Sequence, residues 1–184
     1  MNDQSEKLIE DLQARGLIAQ MTSADKLVEH LSSDSRSLYC GFDPTADSLH
    51  IGSLVPLLVL KRFQEAGHKP IVLLGGATGL IGDPTRKTEL RKMLTAEQIQ
   101  LNIEGIKSQV AAILEVYEQN CKLLNNADWF VERGYIEFLR DIGRHFSVNR
   151  MLAATTYKER YEGDNGLNFI EFNYMILQAT DFLH

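Results

Sequence analysis

The spacing of apolar residues predicts that helices and strands alternate along most of the chain. Short apolar runs, which are typical of buried strands, occupy residues 38–42 and 70–74, and residues 121–126 could form a third strand. Apolar residues recur at helical intervals in residues 5–15, 24–31, 51–66 and 95–117. The resulting order of strand, helix, strand, helix and strand favours an α/β fold built on a parallel sheet.

The segments outside this alternation are also informative. Residues 75–84 are rich in glycine and follow a predicted strand, so we expect a loop there. Thr95 and Gln98 have the spacing of a capping box and predict the start of the long fourth helix. The remainder of the chain is mostly helical in pattern, with an interruption near residues 162–166. That pattern runs to His184 without a cap, and we expect the chain to end inside a larger domain.

The composition narrows the class of protein. Of the 184 residues, 44% are hydrophobic and 24% are charged, and the formal net charge is −6. These values are ordinary for a globular protein and exclude disordered and fibrous classes. No apolar stretch approaches the ~20 residues of a membrane helix, and the polar N-terminus has no signal-peptide core. Cys40 and Cys121 lack metal-ligand spacing. We therefore expect a cytoplasmic protein with no membrane partner and no metal site of its own.

The segment after the first predicted strand is rich in groups that suit a phosphate. Ligands of open parallel sheets bind beyond the carboxyl ends of the strands. Thr45 and His50 precede a predicted helix, whose free N–H groups and dipole favour anions. Gly41 and Gly52 would let a flat ring approach the backbone. The alternative is that Thr45 belongs to a turn or cap and that His50 is a surface histidine.

Two further segments could take part in the same chemistry. The glycines of residues 75–84 mark a close approach to a ligand or to another element, and Asp83 could pair with an ammonium group. Asp83 is equally well explained as a turn residue before Pro84. The basic run at residues 86–92 could hold pyrophosphate, or it could be a solvated face.

A polar stripe interrupts the last predicted helix. Tyr174, Gln178 and Asp181 are spaced by four and three residues and therefore share one helix face. Their neighbours Met175 and Ile176 are apolar, so the stripe is polar where the periodicity predicts burial. It either faces solvent or lines a polar pocket.

Four motifs in a fixed order resemble one family. They occupy residues 39–52, 75–84, 138–149 and 171–182. Together they resemble class I aminoacyl-tRNA synthetases in their bacterial tyrosyl form, over nearly the whole chain. The resemblance implies a Rossmann-like parallel sheet with flanking helices. It divides the chain into an N-terminal helical segment, residues 1–36, and the first part of a catalytic domain, residues 37–184.

The resemblance implies roles for individual residues. Tyr39 and Asp181 would hydrogen-bond the phenol of bound tyrosine, and Asn126 and Trp129 would flank that pocket. The α-amino group of tyrosine would be held by Asp83, Tyr174 and Gln178. The ATP-binding positions would be Gly41, Asp43, Gly52 and Ser53. The triphosphate and the leaving pyrophosphate would contact Thr45, His50, Lys87 and Arg91.

The implied activity is ATP-dependent activation of L-tyrosine, followed by transfer of the tyrosyl group to tRNA(Tyr). ATP would be a substrate, Mg²⁺ would share the charge of its phosphates, and the protein would be a homodimer. The sequence departs from the family in two ways. Ser53 stands where the first signature ends in a second histidine, and the lysine-rich second signature lies beyond residue 184.

These departures leave two alternatives open. The chain could be a non-catalytic fragment or paralogue that binds tyrosine, nucleotide or a partner without ligase activity. It could also be a related class I nucleotidyltransferase or the tryptophan-specific relative, although the pair of Tyr39 and Asp181 argues against tryptophan, since an indole offers a single N–H donor.

Overall fold

The computed structural model describes residues 2–82, 94–117, 120–162 and 166–184. The predicted α/β fold with a parallel sheet and flanking helices is confirmed. The strands are β1 (Ser37–Phe42), β2 (Lys69–Leu74) and β3 (Lys122–Asn125). The helices of the first part are α1 (Asn2–Ala14), α2 (Ala24–Ser33), α3 (Ile51–Glu65), α4 (Thr78–Ile81) and α5 (Ala96–Ile113). The helices of the second part are α6 (Ala127–Phe130), α7 (Tyr135–Asp141), α8 (Val148–Leu152), α9 (Thr155–Glu162) and α10 (Phe169–Leu183), with a 3₁₀ turn at Gly143–His145.

The strands form a sheet in the order β1-β2-β3. β1 and β2 are parallel, with Ser37 opposite Lys69 and Phe42 opposite Leu74. Val72 and Leu74 of the central strand are completely buried, which explains its unbroken apolar sequence. This register brings β1 and β2 to an end side by side, at Phe42 and Leu74.

The three strands and the helices α1, α2, α3 and α5 lie where they were predicted, although α1 begins at Asn2 and α5 already ends at Ile113. The glycine-rich loop is only partly a loop. A single helical turn, α4, lies inside residues 75–84. Gly82 ends it with a φ of 86° and donates its N–H to the carbonyl of Thr78, a conformation that favours glycine. The predicted start of α5 is confirmed, because the Thr95 hydroxyl accepts the N–H of Gln98 at 3.2 Å.

The first compact unit comprises Met1–Phe42, Ala46–Leu74 and Glu104–Leu124. One of its apolar clusters joins α1 to α2 through Leu8, Leu12 and Leu31. In α5, Gly105 packs directly on the carbonyl of Asp47 and leaves no room for a side chain. A second contact joins α5 to the segment that contains Asp47, because the side-chain oxygen of Gln109 accepts the N–H of Leu49 at 2.8 Å.

The second compact unit comprises Asp43–Thr45, Gly75–Ile103 and Asn125–His184. Its core contains Phe138, Met151, Tyr157 and Ile176. The buried Tyr157 hydroxyl accepts the N–H of Met175 at 2.9 Å and donates to the Phe172 carbonyl at 3.0 Å, which fastens α9 to α10. The predicted boundary at residue 36 stays a prediction. Over the described residues, no helix has the length and hydropathy needed to cross a bilayer.

Replacing Gly105 with alanine should destabilise the first unit. The new methyl group would overlap a backbone oxygen, so the helix or the Asp47 segment must move. We expect a loss toward the upper end of about 1–3 kcal/mol, measured as the free energy of unfolding in urea. Ser108→Ala, at an exposed position of the same helix, is the matched control and should change stability by less than about 0.5 kcal/mol. An equally stable Gly105→Ala variant would contradict the close packing.

Candidate functional site

The candidate site lies within the second unit, where residues that follow the strands converge on α10. Asp43 follows β1 directly, Thr78 follows β2 after three residues, and Asn126 follows β3. Ligands of parallel sheets bind at this end of the strands. The positions therefore suit a binding site, and hydrogen bonds join the three side chains.

Asp43 joins the first of these segments to α10. Its Oδ1 accepts the hydroxyl proton of Thr78 at 2.9 Å. Its Oδ2 accepts the phenol proton of Tyr174 at 3.0 Å. A charged acceptor strengthens both bonds. The Tyr174 phenol is thereby oriented by a residue 131 positions earlier in the chain.

Asn126 connects Thr78 to Asp181. Its side chain is almost completely buried, with 1% exposure. Its Nδ2 donates to Thr78 Oγ1 at 3.1 Å and to Asp181 Oδ2 at 3.1 Å. Its Oδ1 accepts the N–H of Ala77 at 2.8 Å. A buried amide needs all of these partners, so its position is strongly determined.

Asp181 receives a second N–H donor on its other oxygen. Trp129 donates its indole N–H to Asp181 Oδ1 at 3.0 Å, and its ring stacks on His184 with the centroids 4.3 Å apart. Burial raises the pKa of the Asp181 carboxyl, and the hydrogen bonds from Asn126 and Trp129 oppose this rise. The charge of Asp43 raises the same pKa further.

These side chains form one chain of hydrogen bonds, which we call the carboxylate network. Its members are Tyr174, Asp43, Thr78, Asn126, Asp181 and Trp129. The network contains two carboxylates: Asp43, which is hydrogen-bonded to Tyr174 of α10, and Asp181, which belongs to α10. The arrangement can accept a hydroxyl or ammonium donor at fixed positions, which is what recognition of a small polar ligand requires.

Glycines make room for this network. A side chain at Gly75 would overlap the carboxylate of Asp43. A side chain at Gly76 would overlap the amide oxygen of Asn125, which accepts the N–H groups of Gly76 at 3.1 Å and Ala127 at 3.0 Å. The glycines were predicted to mark a close approach to a ligand or another element. At these two positions the approaching group is a polar side chain of the protein.

The predicted residues of α10 differ in their surroundings. Tyr174 and Asp181 belong to the carboxylate network, whereas Gln178, on the same helix face, is exposed. Gln178 therefore faces solvent, whereas Tyr174 and Asp181 face other polar side chains of the protein. Asp83, Lys87 and Arg91 lie outside the described residues.

Other predicted residues lie along β1 and just after it. Tyr39 is half-buried and faces Ile71 across the sheet register. Gly41 is exposed, and no heavy atom lies within 4 Å of the position that a side chain would take. Thr45, in the second unit, is exposed and donates its N–H to the carbonyl of Asp43 at 2.9 Å.

His50, Gly52 and Ser53 surround the start of α3. His50 is the exposed N-cap residue, and its side chain makes no cap hydrogen bond. Its imidazole lies over Gly52, where an added Cβ would be 2.9 Å from the ring. The N–H of Ser53 binds the His50 carbonyl at 2.8 Å, and the Ser53 side chain is half-buried. The exposed imidazole beside a helix N-terminus suits contact with an anion.

Sequence reasoning did not single out Thr78 and Asn125. An Asn-Asn pair at the end of a predicted strand was the available signal, because an amide that becomes buried needs partners. Asn126 and Trp129 were expected only to flank the tyrosine pocket. The structure adds that both donate directly to Asp181.

Known proteins resemble this chain over most of its length. The model of the family "tRNA synthetases class I (W and Y)" matches residues 31–184. The tyrosine–tRNA ligase of Aliivibrio fischeri strain MJ11 is 55% identical over 179 residues, which span 96% of this chain and 42% of that protein. The tyrosine–tRNA ligase of Desulfatibacillum aliphaticivorans is 54% identical over 177 residues, which span 96% of this chain and 41% of that protein.

A solved structure shows the same fold. The crystal structure of a C-terminally truncated mitochondrial tyrosyl-tRNA synthetase from Aspergillus nidulans matches with a TM-score of 0.83 and 31% identity, covering 95% of this chain and 52% of that chain. The present chain spans about two fifths of the length of the curated relatives. Since the family model covers most of its residues, the chain belongs to the class I tRNA synthetases of the tryptophan and tyrosine group.

Proposed function

We propose that this chain carries the tyrosine-binding part of a tyrosine–tRNA ligase. The complete reaction would activate L-tyrosine with ATP to give tyrosyl-adenylate and pyrophosphate, and would then transfer the tyrosyl group to tRNA(Tyr). The relatives described above are named tyrosine–tRNA ligases, which supports tyrosine as the substrate. The observation that carries the proposal is the fixed carboxylate of Asp181.

Asp181 is suited to accept a hydroxyl proton. Each of its oxygens receives one N–H donor, from Trp129 and from Asn126. A carboxylate oxygen has two lone pairs, so each can accept one bond more. The phenol of tyrosine supplies such a donor, whereas the ring of phenylalanine leaves a half-buried carboxylate without it. The family resemblance also predicts Tyr39 as a partner of the phenol, and this stays a prediction.

Tyr174 is suited to the other end of the amino acid. Its proton points toward Asp43, so its oxygen acts as an acceptor toward further donors. An α-ammonium group is such a donor. The resemblance predicts Gln178 and Asp83 as additional contacts of this group.

The activation step needs positioning more than acid–base chemistry. The carboxylate of tyrosine is already an anion at neutral pH and attacks the α-phosphorus of ATP without a general base. The bond to pyrophosphate breaks as the new oxygen–phosphorus bond forms, so charge develops on the leaving group. Thr45 and His50, with Lys87 and Arg91, are the residues proposed to stabilise it. Gly41, Asp43, Gly52 and Ser53 are proposed to line the nucleotide.

Mg²⁺ fits this proposal as part of the ATP substrate. In the part of the chain that the structure describes, no group of three or more histidine, cysteine or acidic side chains could hold a metal ion. Mg²⁺ commonly binds substrate phosphates and keeps several waters, so it needs few protein ligands. The chain's own residues would therefore position the phosphates and the amino acid.

A homodimer in the cytoplasm completes the proposal. The segment at residues 138–151 is the proposed contact surface, on the basis of the family resemblance. Exposed apolar side chains in and beside it support this assignment: Val131, Tyr135, Ile136 and Val148. Burial of such side chains against a second copy would stabilise an association.

The proposal is tested by calorimetric titration of the 184-residue chain with L-tyrosine and L-phenylalanine. We expect saturable binding of tyrosine and much weaker binding of phenylalanine. Asp181→Ala should lower tyrosine affinity at least tenfold and remove the preference, because a hydrogen bond to a charged group is worth about 1.5–3 kcal/mol. Asp128→Ala, an exposed acid on α6, is the control and should bind like the parent chain.

Circular dichroism would verify that each variant folds, and Asp181→Asn provides a conservative second variant. If folded Asp181→Ala kept the preference for tyrosine over phenylalanine, Asp181 would not belong to the tyrosine pocket. Formation of labelled adenylate from tyrosine and ATP would separate a catalytic chain from one that only binds. Tighter binding of tryptophan than of tyrosine would favour the tryptophan-specific alternative.

Tyrosine affinity should fall in acid. The pKa of Asp181 is raised above its ordinary value of 3.8 by burial, so the carboxyl becomes protonated at a higher pH than a solvated aspartate. Protonation removes the negative charge that strengthens both N–H hydrogen bonds, and the new O–H competes with the phenol proton for the same position. Trp129→Phe removes the hydrogen bond from the indole N–H, which lowers the pKa of Asp181. The variant should therefore lose tyrosine affinity at a higher pH than the parent chain.

Titrations of both proteins with tyrosine between neutral pH and pH 4 would measure this shift, and carbon NMR of the aspartate carboxyls would follow the proton itself. Phe130→Leu, next to Trp129, serves as the control for altered packing. A pH profile that Trp129→Phe does not move would show that the indole N–H does not tune Asp181.

Ser53→His should strengthen ATP binding several-fold. An imidazole reaches further than a hydroxymethyl group and can carry a positive charge toward the triphosphate. Calorimetric titration with ATP measures the gain, and Ser48→His, an exposed serine in the preceding loop, is the control. Equal ATP affinity of the parent chain and Ser53→His would show that serine serves as well as histidine here.

A further inference from the structure

We propose that Asn102 is a positioning residue for the triphosphate of ATP. It holds the peptide group between Pro44 and Thr45, and it thereby fixes the direction in which the Thr45 side chain leaves the backbone. The inference rests on the proposed function, in which Thr45 contacts the triphosphate. Asn102 belongs to α5 and is not a member of the carboxylate network, and it lies in the second unit together with the residues that it contacts.

The side chain of Asn102 is a buried amide that is hydrogen-bonded through both of its polar atoms. Its exposed fraction is 2%. Its Nδ2 donates to the Pro44 carbonyl at 2.9 Å, and its Oδ1 accepts a proton from Nε2 of Gln98 at 3.0 Å. A carbonyl oxygen can only accept, so the nitrogen of the amide must face Pro44. Burial of an amide costs free energy unless it is hydrogen-bonded, and this one stays satisfied only while Pro44 remains within reach.

The segment from Asp43 to Thr45 forms a three-residue turn. The Thr45 N–H donates to the Asp43 carbonyl at 2.9 Å, which is the hydrogen bond of a γ-turn centred on Pro44. Proline suits the central position because its ring holds φ near about −65°. The Pro44 carbonyl takes no part in the hydrogen bond of the turn, and a buried carbonyl needs a partner from elsewhere. Asn102 supplies that partner.

The peptide group between Pro44 and Thr45 is therefore held at both ends. Its oxygen accepts from Asn102, and its N–H donates to Asp43. In a planar trans peptide group the C=O and the N–H point in opposite directions, so hydrogen bonds at both ends fix the orientation of the plane. The Cα atom of Thr45 belongs to that plane. Its exposed side chain consequently leaves the turn in a fixed direction.

Packing holds the other side of the turn. Pro44 is completely buried, and a Cβ added at Gly79 of α4 would lie 3.2 Å from its Cδ. The ring of Pro44 is thus held by α4, whereas its carbonyl is held by Asn102 of α5. Loss of the hydrogen bond should free the peptide group without removing the packing of the ring.

The two residues that flank Pro44 depend on different contacts. The Asp43 carboxylate is held by two hydrogen bonds of the carboxylate network, which is proposed to bind tyrosine. The hydrogen bond from Asn102 acts on the opposite side of Pro44, at the peptide group that leads into Thr45. Loss of Asn102 should therefore disturb the triphosphate contact and leave the contacts of the amino acid in place.

Calorimetric titrations of the 184-residue chain with ATP, AMP and L-tyrosine test the inference. Asn102→Asp keeps the size of the side chain, but a carboxylate has no proton to donate to the Pro44 carbonyl. We expect Asn102→Asp and Asn102→Ala to weaken ATP binding about fivefold, the equivalent of one hydrogen bond. AMP, which lacks the two outer phosphates, and tyrosine should bind within twofold of the parent chain.

Gln98→Ala is the matched control. It removes the hydrogen bond on the other side of the same amide, from an exposed position, and leaves the contact with Pro44 in place. All three affinities of Gln98→Ala should stay within twofold of the parent chain. A fivefold loss of ATP affinity in this control would overturn the inference, because the contact with Pro44 would then not be the one that matters.

A double-mutant cycle tests whether Asn102 acts through Thr45. In a Thr45→Ala background, Asn102→Ala should lower ATP affinity by less than a further twofold, because the hydroxyl group that it positions is already absent. Losses that simply multiply would overturn the inference. Equal losses of ATP, AMP and tyrosine binding would show that Asn102 only maintains the fold, and would overturn it as well.

The parent chain separates this inference from the proposed function. If the parent chain binds ATP and both Asn102 variants bind it equally well, the inference alone is wrong. If the parent chain binds no ATP, the proposed nucleotide function fails and the inference fails with it.

Discussion

The buried amide of Asn126 is the constraint on which the candidate site depends. It simultaneously satisfies the backbone of Ala77, the hydroxyl of Thr78 and the carboxylate of Asp181. Hydrogen bonds are stronger in a site shielded from water, and a missing partner there is costly. The segment after β2, the segment after β3 and α10 are therefore held in a single arrangement by one side chain.

The network places the carboxylate of Asp181 in a partly buried environment, where removing a charge from water costs free energy. Burial raises the pKa of Asp181, and two N–H donors act against that rise to favour the ionised form. A carboxylate supported in this way is an acceptor that is already oriented before a ligand arrives. Such preorganisation lowers the cost of binding, since the site need not be ordered by the ligand.

The glycines show how close packing and polar chemistry are coupled here. Gly75 and Gly76 admit the side chains of Asp43 and Asn125 against the backbone. Any larger residue would displace the groups that orient Tyr174 and the turn before α6. In the other unit, Gly105 does the same for the backbone of Asp47. Because glycine has no Cβ, two segments can come into contact at each of these positions.

Hydrophobic periodicity alone determined the α/β class, the three strands and the main helices, because buried faces must repeat with the period of their element. The single turn α4 was missed, since glycine carries no apolar signal and the helix depends on contacts made by its neighbours. Spacing placed Tyr174 and Asp181 on one face of α10. It placed Gln178 on that face too, although Gln178 is exposed and lies outside the carboxylate network.

Only the tertiary structure decided which polar residues act together. Asp43 and Tyr174 are 131 positions apart, and no local pattern relates them. Thr78 and Asn125 carry no motif, and their roles arise when the ends of different strands and α10 meet. Periodicity reports which face of an element is buried, whereas hydrogen bonding depends on distances between elements. For that reason the sequence determined the fold class and pointed to several members of the carboxylate network, and folding determined how they are connected.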